Sequence, residues 1–149
     1  GARPSRRCRN LANRLKGKSW VGVHVRRGDY LNFPDLYVLL EREYYKRALA
    51  SLDKGKFDEI VVFSEDGKMA KTLLPEATII ADRSVISAAG DIVSLLSQAQ
   101  AVIGANSSLS WWGAYLNPSV GKDKVFPLNW FGPKGSETKD LIPPDWTLR

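Results

Sequence analysis

Strands and helices alternate along this sequence, and that alternation is its strongest constraint on a fold. Trp20–Val25 (WVGVHV) is short, apolar and valine-rich, the pattern of a strand buried on both faces. Residues 33–52 (FPDLYVLLEREYYKRALASL) then take up helical spacing. Asp35 after Pro34 is the expected N-cap, and Leu36, Leu39, Leu40, Tyr44 and Ala48 would share one buried face. Residues 59–63 (EIVVF) read as a second strand, 66–74 (DGKMAKTLL) as a short helix stopped by Pro75, and 77–81 (ATIIA) as a third strand. The alternation continues with a helix over 87–100, turning Ile92, Leu95, Leu96 and Ala99 inward, and a strand over 101–105 (AVIGA). A helix over 107–117 ends at Asn117-Pro118, and 124–128 (KVFPL) supplies a fifth strand.

Such a pattern specifies an α/β fold: a mostly parallel sheet with helices on both faces. At 149 residues the chain has the size of one domain with a real core. Ligands of these sheets bind outside the carboxyl ends of the strands. Polar residues collect at those ends here. The first strand runs into Arg26-Arg27-Gly28-Asp29, the second into Ser64-Glu65-Asp66, the third into Asp82-Arg83 and the fourth into Asn106-Ser107-Ser108.

The net charge of +6 is concentrated rather than spread. Arg3, Arg6, Arg7, Arg9, Arg14, Lys16 and Lys18 fall within the first 18 residues, which contain no acid; the other 131 residues hold 15 basic and 16 acidic groups. Residues 1–18 therefore read as a basic arm or linker, and 19–149 as the folded domain. The arm could touch an anionic membrane surface or a part of the protein outside this chain. Nucleic acid is not expected, because the arm lacks interleaved aromatics. Cys8 is alone, which excludes an internal disulfide and suits a reducing compartment, the cytoplasm. No apolar run reaches the roughly 18–20 residues of a membrane span, and the first residues do not have a signal-peptide layout.

Side chains alternate along a strand, so His24 and Arg26 should share one face while Val23, Val25 and Arg27 take the other. A guanidinium grips phosphate through paired hydrogen bonds and stays charged when partly buried. Arg26 or Arg27 could equally pair with Asp29 or Asp66 and pin a loop. Asn106, Ser107 and Ser108 end a strand and open a helix, where free N–H groups and the helix dipole attract anions; ordinary capping is the alternative. Asp91 in the first turn of its helix would complement the dipole or meet a guanine edge. Trp111 and Trp112 read as core packing. No G-x-G-x-x-G, P-loop, D-x-D pair or G-x-S-x-G elbow occurs, so an anion bound here would be neutralised by arginine and helix dipole, with no metal and no cofactor expected.

The segments HVRRGDY at 24–30 and GDIVSLLSQAQAVIGANSSLSWWGAYLN at 90–117 resemble the signature segments of the α-1,2-fucosyltransferases, glycosyltransferase family 11. FSEDGKMAKTLLP at 63–75 and FPLNWFG with LIPPDW near the end resemble later segments of the same family, bacterial members especially. The resemblance implies the Rossmann-like half of a GT-B-type glycosyltransferase. It implies inverting, metal-independent transfer of L-fucose from GDP-fucose to the 2-hydroxyl of a galactose-containing glycan. Arg26 would hold the β-phosphate, His24 and Arg27 the donor, Asp91 the guanine, and Asn106, Ser107 and Ser108 the phosphate side. Asp29, Glu65 and Asp66 are base candidates by position alone. Family members carry a further stretch before this region that helps bind the acceptor, so the chain is expected to be the donor-binding part. A eukaryotic relative would work in the Golgi lumen, a bacterial one in the cytoplasm or at the membrane periphery. The competing expectations are a non-catalytic guanine-nucleotide or sugar-nucleotide binding module, and a protein that docks on nucleic acid or membrane through residues 1–18.

Overall fold

The computed structural model describes residues 3–26, 38–130 and 141–149. Among the described residues six parallel strands form one sheet: β1 (Trp20–Val25), β2 (Glu59–Ser64), β3 (Ile79–Ala81), β4 (Ala101–Ile103), β5 (Lys124–Phe126) and β6 (Thr147–Leu148). Their spatial order is β3-β2-β1-β4-β5-β6, so the chain winds outward from β1 in one direction and then in the other. The first five strands fall where the periodicity predicts them, most of them shorter. The sixth has only two residues, too few to leave a periodic signal.

Helices cover both faces, and the alternation of side chains along β1 explains the split. Val21, Val23 and Val25 enter one core with α2 (Arg42–Ala50) and α3 (Gly67–Leu73), through Tyr44, Tyr45, Ala48, Leu49, Ala70 and Leu73. On the opposite face Trp20 joins α1 (Arg6–Leu15), α4 (Ala89–Leu96) and α5 (Ser108–Tyr115). Gly22 is needed on that face because a β-carbon there would press on Leu96, which also abuts Gly113 of α5. Leu96 is thus a wedge seated between β1 and α5.

The basic segment departs from the expected arm. Ser5 caps α1 by accepting a hydrogen bond from the Cys8 N–H at 3.1 Å, and Cys8, Leu11 and Leu15 are all buried. Those positions follow the i, i+3, i+7 stripe of an amphipathic helix, with the arginines left on the outer face. Burying two leucines contributes about 3–6 kcal/mol towards holding this ten-residue helix against the sheet layer. Two smaller differences follow the same logic of tertiary context. The second helix begins at Arg42, after Leu40; the expected cap Asp35 and Leu36 lie outside the described residues. Trp111 packs against the core, but Trp112 is half exposed, its edge towards the stacked Trp111 and Tyr115 rings. Among the described residues no helix is long and apolar enough to cross a membrane.

Candidate functional site

A cleft of about 630 Å³ opens over the carboxyl ends of β1, β2 and β3. This is the size of a small-ligand site, on the edge where a parallel sheet binds its ligands. It is lined by His24, Val25 and Arg26 at the end of β1, Ser64 to Asp66 at the end of the central β2, and Arg83, Ile86 and Ser87 after β3. Ala89 and Ile92 of α4 and Leu109 of α5 also contribute to this lining.

His24 lies on the α4 side of the sheet, 5% exposed. Burial, and then the neighbouring Arg26 charge, pull its pKa down from 6.5 to about 4. The ring is therefore neutral at physiological pH and offers hydrogen bonds rather than charge. Among the described residues its Nδ1 is buried without a hydrogen-bond partner.

Arg26 follows directly, its guanidinium 3.3 Å from the Glu65 carboxylate. The strand register dictates this pair: Val25 lies beside Ser64, so the next residue of each strand emerges side by side at the rim. Asp66 accepts from the Met69 N–H at 3.0 Å and caps α3. Among the described residues no three His, Cys, Asp or Glu side chains converge as a metal site would require.

The sequence profile of glycosyl transferase family 11 matches residues 5–148, nearly the whole chain. The chain belongs to glycosyl transferase family 11. Two relatives from Escherichia coli stand beside it. An O-antigen biosynthesis glycosyltransferase, WbnK, is 32% identical over 133 residues, covering 85% of this chain and 43% of the relative. An alpha-1,2-colitosyltransferase is 31% identical over 148 residues, covering 93% and 50% respectively. The family 11 chain thus spans about half the length of these relatives. Among solved structures, a glycosyl transferase family 9 protein from Veillonella parvula superposes with a TM-score of 0.57 at 14% identity, over 93% of this chain and 42% of that one. That likeness bears on the fold, and it fits the Rossmann-like half of a GT-B-type enzyme.

Not every polar residue at the strand ends of this family 11 chain faces the cleft. Asn106 is 1% exposed and turned inward, its amide donating to the carbonyls of Val38 and Trp130 at 2.8 Å each. Ser107 caps α5 by accepting from the Leu109 N–H at 3.2 Å, and Ser108 is exposed in the first turn. None of the three is in the lining of the cleft described above; Ser107 caps the helix start and the Asn106 amide forms a buried clasp beside it. Asp91 is also absent from the lining, although Ala89 and Ile92 flank it there. It is buried against α1, where its carboxylate accepts from the Ser5 N–H at 3.4 Å. Arg27 and Asp29 lie outside the described residues. Sequence reading set Arg83 among the polar strand ends without giving it a role, and it missed Ile86 and Ser87. They follow a three-residue strand whose loop carries no motif, and only the strand order brings them to the cleft.

Proposed function

We propose that this chain is the donor-binding part of a galactoside α-1,2-fucosyltransferase. In this reading L-fucose passes from GDP-fucose, with inversion and without metal, to the 2-hydroxyl of a galactose-containing glycan. The observation that carries it is Arg26 in the cleft lining beside a neutral, buried His24, in a chain of this family. Breaking the bond from fucose C1 to the diphosphate develops negative charge on the leaving oxygen. A guanidinium already fixed at that point stabilises the charge without reorganising, and losing such a preorganised donor costs about 2.7–4 kcal/mol. His24 supplies a hydrogen bond to the nucleotide. A guanine role for Asp91 would require its carboxylate to exchange Ser5 for the base. Glu65 and Asp66 are the described base candidates for the acceptor hydroxyl, which must approach the sugar face opposite the diphosphate. The lone Cys8 and the bacterial relatives support a cytoplasmic site of action.

Calorimetric titration with GDP-fucose, GDP and UDP, each with and without EDTA, tests the proposal. Guanine-selective binding that ignores the chelator and falls at least tenfold in Arg26→Ala is expected. Equal affinity for UDP, or a strict need for a divalent ion, would refute it. One relative's name specifies colitose, so a colitosyl donor belongs in the same series to fix the sugar. Donor binding with no transfer to any galactoside in product analysis would favour the non-catalytic module.

A further inference from the structure

The register of the sheet sets three charged side chains in a row across the mouth of the cleft. Val25 pairs with Ser64, so Arg26 emerges beside Glu65; Phe63 pairs with Ala81, and two residues on, Glu65 emerges beside Arg83. The Glu65 carboxylate takes both neighbours, with one oxygen 3.3 Å from Arg26 Nη1 and the other 3.1 Å from Arg83 Nη2. Two guanidiniums from different strands therefore converge on one anionic group, and all three residues line the cleft.

We propose that Glu65 holds the place of the donor's diphosphate, and that Arg83 is the second guanidinium that receives it. This rests on the donor-binding reading above and adds a residue and an exchange step to it. A carboxylate spanning two guanidiniums mimics the bidentate grip that Arg makes on phosphate oxygens. It keeps both arginines aimed at one point and offsets their mutual repulsion while the cleft is empty. Its hold is weak: the side chains of Arg26, Glu65 and Arg83 are 31%, 47% and 70% exposed, and ion pairs in water contribute little. A diphosphate carries more charge and more acceptor oxygens, so it displaces Glu65 and leaves that carboxylate free at the rim.

The probes are GDP and GMP, titrated into the wild type, Glu65→Gln, Arg83→Ala, the double variant and Arg26→Ala. Glu65→Gln keeps the shape and removes the competing charge, so GDP should bind about threefold to tenfold more tightly. Arg83→Ala should weaken GDP about tenfold and GMP less, because GMP lacks the second phosphate. In the double variant the gain from Glu65→Gln should shrink, since one of the two guanidiniums for which Glu65 competes with the diphosphate is gone. A merely structural role for either residue would change GDP and GMP alike. Wild-type GDP affinity in Arg83→Ala, or weaker GDP binding in Glu65→Gln, overturns the inference even while Arg26→Ala abolishes binding. A wild-type chain that does not bind GDP at all removes the donor reading and this inference together.

Discussion

His24 sets a pH dependence that can be worked out in advance. Unfolded, its imidazole titrates near 6.5; folded, burial and the Arg26 charge hold it at about 4. Between those values the unfolded chain binds a proton that the folded chain refuses, so falling pH favours unfolding. The stability at stake is fully present above the unfolded pKa and is lost as pH falls towards the folded one. At ~1.36 kcal/mol per pH unit the full loss below the folded pKa is about 3 kcal/mol, of which about 2 kcal/mol is gone by pH 5. Urea unfolding followed by tryptophan fluorescence, at half-unit steps from pH 7.5 to 4, measures it. The contributions of Glu59 and Asp82, whose pKa values are lowered by hydrogen bonds, are shared by wild type and variant and cancel in a comparison with His24→Gln. The wild-type curve should fall about 2 kcal/mol further than the variant's between pH 7 and pH 5. Parallel curves would show that His24 accepts a proton in the fold without difficulty, and the neutral-imidazole account of the cleft lining would be wrong.

Two further substitutions test the packing that supports the cleft. Leu11→Ala, in the helix formed by the basic segment, should cost about 2–4 kcal/mol of stability by urea melts; a change under about 0.5 kcal/mol would mean that the helix does not dock. Asn117→Ala removes the amide that donates to the Leu96 and Ala99 carbonyls at 2.8 Å each, so a loss of about 2–3 kcal/mol is expected, and a neutral result would show that water replaces it.

The sequence is most legible where burial is two-sided. β1, β2 and β4 are runs of valine, isoleucine and phenylalanine because both faces of those strands are covered, and no tertiary knowledge is needed to find them. The polar strand ends were equally visible, but their directions were not. Asn106 and Arg26 look alike as polar residues following a strand, yet one satisfies buried carbonyls while the other faces the cleft. Nothing local separates them, because the carbonyls that Asn106 serves come from residues 38 and 130. Helix α1 was hidden differently. Its charge dominated the reading, although Ser5 as a cap and the spacing of Cys8, Leu11 and Leu15 were a sufficient signal. Arg83 was visible as a polar strand end, but its place beside Glu65 needs the register, since that neighbour in the rim row is 18 positions away along the chain.

The Asn106 clasp bears on how such a scaffold acquires a new ligand. Rim loops are the parts usually exchanged for that purpose. Here one amide joins the backbone arriving at residue 38, the turn after β4 and the chain leaving β5, so these three are a single unit for grafting. Replacing any one of them alone strands a buried N–H or a carbonyl, and specificity must be moved with the whole knot or drawn from the free side, the loop that carries Arg83.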